Sequence, residues 1–244
     1  MPRFFIDESC LSEKHAFVRG GDAVHIGRSL RMRLGDEVTL CCGGMEYECK
    51  ILNISDEECR CEIISSHNGR NEPNVHLTLF QAVPKSDKLE FIVQKAVELG
   101  AAEICPVLTS RCVSRPDGKS FRKKLDRLNK IALEAAKQCG RSIVPTVTEI
   151  LSLDQCIEKL SAADFPLVCY EKGGKNLREV FSQTEYDGKT IGIFIGSEGG
   201  FDEKEIELCL SAGVTPIGLG KRILRCETAP VAAVSIIMNL TGNM

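Results

Sequence analysis

The 244-residue chain is 43% hydrophobic and 27% charged, an ordinary globular composition, and is long enough for one large domain or two small ones. No apolar run reaches the length of a membrane span. The first residues, with Asp7 and Glu8, lack the basic-then-apolar pattern of a signal peptide, so a cytoplasmic protein without a membrane partner is expected. The net charge of −3 argues against a uniformly basic nucleic-acid binder, yet residues 109–145 carry 10 basic and 3 acidic side chains.

The first seventy residues alternate short apolar runs with turn signals at Gly20-Gly21, Gly35-Asp36 and Gly43-Gly44. EVTLCC, MEYECKILNI and RCEIISS read as closely spaced strands, which predicts a small β-barrel over residues 1–72. The polar segment HNGRNEPN (67–74) contains a proline and precedes a change of period, which marks a linker. Thirteen cysteines raise the question of a metal, but no C-x-x-C pair occurs. Cys49, Cys59 and Cys61 fall in alternating strand-like runs, where cysteine serves as a small buried hydrophobe. Reduced thiols and no metal site are expected.

From Val75 onward strand and helix alternate, which predicts an α/β domain over residues 73–244 with a parallel sheet. HLTLFQAV reads as a strand. Asp87 then caps a helix with Leu89, Ile92, Val93 and Ala96 on one face and Gly100 at its end. EICPVL is the next strand. Ser120 to Cys139 forms a basic helix, with Leu125, Leu128, Ile131, Ala132 and Ala135 on its buried side and Gly140 as its stop. FPLVCY, TIGIFI (190–195) and VTPIGL (214–219) supply later strands, separated by helices near 175–184 and 202–212. Asp202 and Glu205 form a capping box for the second of these. Thr228, before Ala229-Pro230, starts a final helix that is apolar almost all round, as expected of one buried against its own sheet and a neighbour.

The basic excess runs from Arg111 through Arg115, Arg122, Lys123 and Lys124 to Arg141, over loop, helix and loop. It is either an RNA-facing stripe or a solvated helix face. With 10 Phe, 3 Tyr and no Trp, recognition by many base-stacking platforms is not expected, and shape reading of structured RNA fits better.

Two segments near the end of the chain belong together: IGSEGGF (195–201) and LGKRILRCETAPVAA (219–233). Each follows a strand and leads into a helix, which is where open α/β sheets place ligands. Neither fits a phosphate loop, since no G-x-x-x-x-G-K-[ST] occurs, nor is there a G-x-G-x-x-G after an early strand. The pair closely resembles the cofactor loops of the SPOUT methyltransferases. MPRFFI, HIGRSLRMRLGDEV, FQAVPKSDKLEFIVQKAVELGAAEICPVLTSR and EAAKQCGRSIVP are similar to one subfamily, RsmE, in one order over nearly the whole chain. Ser197 stands where that family usually has proline, and Cys226 where it usually has threonine.

The resemblance implies an N-terminal PUA-like β-barrel, a SPOUT α/β domain with a C-terminal trefoil knot, and a homodimer. It implies S-adenosylmethionine as cofactor and methylation of N3 of a uridine in 16S rRNA of the small ribosomal subunit, position 1498. Tyr170, Glu171, Ile195, Gly196, Glu198, Gly199, Gly200, Leu219, Gly220, Ile223, Leu224, Thr228 and Ala229 would bind the cofactor, and Arg3 and Arg31 would join the stripe as RNA contacts. On the residues alone, the loop glycines either admit a ligand to the backbone or simply end strands.

All four histidines lie between positions 15 and 76, in the first third of the chain, so the two loop segments carry no histidine base of their own. Arg225 is the candidate for stabilising the uracil anion, and otherwise pairs with Glu227 or Glu198 to stiffen the loop. Glu198 either accepts the N3 proton or braces the loop by accepting backbone N–H bonds. A SPOUT enzyme acting on a ribose 2′-oxygen and a non-catalytic RNA-binding assembly factor are the alternatives.

Overall fold

A computed structural model describes residues 1–182 and 185–244. The chain forms two compact units, one of residues 1–72 with 136–144, the other of residues 73–135 with 145–244.

The first unit contains β1 (Arg3–Phe5), β2 (His15–Arg19), α1 (Gly21–Val24) continuing into a π-helical turn, β3 (Glu37–Cys42), β4 (Met45–Ile54) and β5 (Glu58–Asn68). The strands form one sheet in the order β1-β3-β4-β5-β2, antiparallel except for the β1–β3 pair. β1 and β2 remain edges, so the expected barrel is an open half-barrel. Strand period two turns Val38 and Leu40, Cys49 and Ile51, and Cys59 and Cys61 into the core. The cysteines there are packed as apolar groups, and burial raises the Cys49 thiol to about 12.

The expected linker is not a free connector. His67 and Asn68 belong to β5, and the Glu72 carboxylate accepts the Arg141 guanidinium at 2.7 Å and the Ser142 and Ile143 N–H groups at 2.7 and 3.0 Å. These bonds tie residues 141–143 into the first unit.

The second unit runs β6 (His76–Ala82), α2 (Lys88–Glu98), β7 (Glu103–Val107), α3 (Gly118–Cys139, its last turn in the first unit), β8 (Thr146–Val147), α4 (Leu153–Ser161), β9 (Phe165–Cys169) and β10 (Lys175–Asn176). It continues with α5 (Leu177–Val180), β11 (Thr190–Ile195), α6 (Glu203–Ser211), β12 (Thr215–Gly218) and α7 (Thr228–Leu240). Its seven strands form an all-parallel sheet in the order β10-β12-β9-β11-β6-β7-β8. β11 is a near-continuous apolar run, and β6 is buried from Leu77 to Ala82 although Thr78 and Gln81 interrupt its apolar residues, as a sheet covered on both faces requires. β11 enters between β6 and β9, two strands laid down earlier in the chain.

Three expectations need correction. Asp87 sits at the N-cap of α2 but makes no side-chain cap bond. The helix near 175–184 is reduced to α5, because Lys175 and Asn176 pair with β12 instead; Gln183 and Thr184 lie outside the described residues. α4 has no counterpart among the expected elements, although its Ser152/Gln155 capping box marks its start. No helix among the described residues is long and apolar enough to cross a membrane.

Candidate active site

Parallel strands aim their carboxyl ends, and the loops that follow, at one edge of the sheet. Loops after β9, β11 and β12, together with the start of α2, line one cavity of about 550 Å³. The lining takes in Tyr170, Glu171, residues 195–201, residues 217–226, Ala229 and Lys88. Of the residues assigned to the cofactor from sequence, Thr228 alone is absent from this lining.

The 195–201 loop is held by its neighbours. Gly200 has φ +65, and a Cβ there would lie 3.1 Å from the Glu171 carboxylate. A Cβ on Gly196 would lie 3.2 Å from the Gly200 backbone, and one on Gly199 would lie 3.0 Å from the Arg111 Cβ. These glycines therefore serve the loop's own close packing. By contrast, a Cβ on Gly218 or Gly220 would meet nothing within 4 Å. The Ser197 hydroxyl donates to the Arg111 carbonyl at 3.3 Å.

Glu198 accepts the Lys85 backbone N–H at 3.1 Å and the Lys88 ammonium at 3.2 Å. Burial pushes its carboxyl up, but backbone N–H groups and Lys88 outweigh this and hold it below the ordinary carboxylate range. Lys88 also takes Glu227 at 3.0 Å, and its ammonium is stabilised by Glu227 and then Glu198. The Cys226 thiol donates to Glu227 at 3.2 Å; burial first, then that bond, push it up to about 12, so it stays protonated.

The ion pair between Arg225 and Glu198 or Glu227 does not form, because Lys88 holds both carboxylates. Arg225 is exposed, lines the cavity, and makes no ion pair among the described residues. Ile195 and Leu224 give the cavity apolar walls, whereas Ile223 stands at its rim, 85% exposed.

The basic residues divide. Arg122 and Lys123 are exposed on α3, Arg122 in a loose 3.5 Å contact with Glu149, and Lys124 reaches the Ser86 carbonyl at 3.3 Å. Arg31 is exposed. Arg111 instead spans the Gly199 carbonyl and Asp202. Two residues assigned to RNA from sequence have carboxylate partners: Arg141 is 4% exposed and bound to Glu72, and Arg3 is bound to Glu46 at 2.9 Å. Both pairings compete with a phosphate for the guanidinium.

Sequence reasoning missed Lys88. The available signal was PKSDK directly after β6, at the same sheet edge as the other loops, with Ser86 in a left-handed conformation at φ +56. Among the described residues, the ligand atoms of Glu46, Glu48 and His67 come together, but Glu46 is already committed to Arg3 and Ser142.

Residues 71–238 match the RNA methyltransferase domain and residues 18–64 the RNA methyltransferase PUA domain; the chain belongs to the RNA methyltransferase family. Within it, the chain is similar to the ribosomal RNA small subunit methyltransferase E of Bacillus subtilis, at 35% identity over 97% of this chain and 96% of that one. The crystal structure of a ribosomal RNA small subunit methyltransferase E from Neisseria gonorrhoeae bound to S-adenosyl methionine superposes with a TM-score of 0.87, at 30% identity and 98% coverage of each chain. A Legionella pneumophila methyltransferase in complex with bound SAM gives 0.85, at 28% identity, over 97% of this chain and 96% of that one.

Proposed function

We propose that this protein methylates N3 of a uridine in 16S rRNA, position 1498, with S-adenosylmethionine as donor. The observation that carries this reading is the convergence of residues 195–201 and 217–226, the two segments that resemble the family's cofactor loops, on one cavity. The residues present fit such a cofactor. The cavity is of ligand size, Ile195 and Leu224 offer it an apolar wall, and Gly218 and Gly220 leave room beside it.

The cofactor supplies an already activated methyl group on a sulfonium. What is left to the chain is to orient the uracil edge and stabilise the charge that N3 acquires as it loses its proton. Arg225, exposed at the cavity and unpaired among the described residues, suits an anion spread onto the uracil oxygens. Glu198 is better placed as a brace than as a base, because Lys85 and Lys88 occupy its carboxylate and depress its proton affinity.

Residues 1–72 are read as the PUA-like RNA-binding domain and 73–244 as the methyltransferase domain, with a trefoil knot formed by the last strands and loops. Arg31, Arg122, Lys123 and Lys124 remain as candidate phosphate contacts. The reading includes a cytoplasmic homodimer acting on the small ribosomal subunit; the exposure of Ile223 (85%) and Ile236 (40%), both apolar, supports a second copy.

Calorimetry with S-adenosylmethionine tests the site. Gly218→Val fills open space without needing positive φ, so it should abolish heat of binding while the far-ultraviolet spectrum stays native. Undiminished binding by that variant would place the cofactor elsewhere.

A further inference from the structure

The Lys88 ammonium joins two walls of the cavity that the chain itself does not connect closely. Glu198 lies on the loop after β11 and Glu227 just before α7, and both are within 3.2 Å of the one nitrogen. The Cys226 sulfur lies 3.7 Å from the same nitrogen. All three charged side chains are only 25–30% exposed, so solvent screens them less than a surface pair.

Local energetics argue against a lysine at this place for the helix's own sake. Lys88 is the first residue of α2, where the helix dipole favours anions, and it follows Ser86 in a left-handed conformation. Both costs fall at the junction of the β6–α2 loop with α2, where Lys88 faces the cavity.

We propose that Lys88 is a positioning residue that latches the 219–227 segment, and with it Arg225, against the loop after β11. This rests on the methyl-transfer reading for its purpose but not for its test. The two sides of the latch differ in what else holds them. The 195–201 loop keeps the Lys85 N–H on Glu198 and the Arg111 guanidinium on the Gly199 carbonyl. Besides Lys88, the Glu227 carboxylate has among the described residues its own backbone N–H and the weak thiol donor of Cys226, neither of which ties it to another loop. Loss of Lys88 should therefore free residues 219–227 and leave residues 195–201 largely in place.

Hydrogen–deuterium exchange on the protein without donor reads this directly. In Lys88→Met, amides of residues 219–227 should exchange about tenfold faster, with residues 195–201 changed far less. Lys88→Arg should restore most of the protection, since a guanidinium can serve both carboxylates. If Lys88→Met fails to fold, Glu227→Gln should release the same segment. Unchanged exchange of 219–227 in the folded variant, or equal loosening of both loops, overturns the latch. Faster exchange together with no donor binding by the wild-type protein would keep the latch and overturn the methyl-transfer reading.

Discussion

The Arg111 guanidinium donates to the Gly199 carbonyl at 3.0 Å, and the Arg111 backbone carbonyl accepts the Ser197 hydroxyl at 3.3 Å. One residue thus holds the 195–201 loop from both its main chain and its side chain. A residue that sequence alone suggests for RNA contact is here a brace of the loop after β11. Arg111→Ala should weaken donor binding roughly three- to tenfold, the scale of one lost hydrogen bond near 1 kcal/mol, and leave the salt dependence of RNA binding unchanged. A flattened salt slope with undisturbed donor affinity would return Arg111 to the RNA.

Arg225→Ala should slow methyl transfer far more than it weakens donor binding. Removing a preorganised charge from developing negative charge costs about 3 kcal/mol, roughly a hundredfold in rate. Raising the pH should recover part of the loss, because hydroxide assists the deprotonation that the guanidinium no longer favours. Equal losses in donor affinity and turnover, indifferent to pH, would mark Arg225 as a loop residue.

Neutralising Arg122, Lys123 and Lys124 together should flatten the slope of log affinity for RNA against log salt by roughly two to three units, at 0.7–0.9 per phosphate contact. Donor affinity should not change, since none of the three lines the cavity. The loose contact of Arg122 with Glu149, both side chains well exposed, offers little competition to a phosphate. An unchanged slope would make this face of α3 a solvated helix surface.

Glu198 carries a pH signature. Its folded carboxyl is held below the ordinary value of 4.5, so the stability it contributes is present above that value and disappears as pH falls through the depressed one. Glu198→Gln should melt below wild type at pH 7, and the gap should close on acidification below 4.5. A gap that is constant down to strong acid would show that ionisation of Glu198 among its backbone N–H partners and Lys88 contributes nothing.

The sequence made some of this legible and hid the rest for identifiable reasons. Strands β9 and β11 were readable because a sheet covered on both faces favours apolar runs, and Gly140 at φ +80 marked the end of α3 as expected. The roles of Arg3 and Arg141 were not readable. A sequence displays charge but not the partner, and Glu46 and Glu72 lie 43 and 69 residues away. Lys88 escaped for the same reason: its carboxylates sit on two later loops, and at the first position of a helix a lysine reads as solvated surface.

The most direct measurement is mass spectrometry of nucleosides from 16S rRNA incubated with this protein and methyl-labelled S-adenosylmethionine. The expected result is label in N3-methyluridine at one site, lost in Arg225→Ala. Label in a 2′-O-methyl nucleoside, or none at all with small ribosomal subunits and naked rRNA alike, would contradict the assignment.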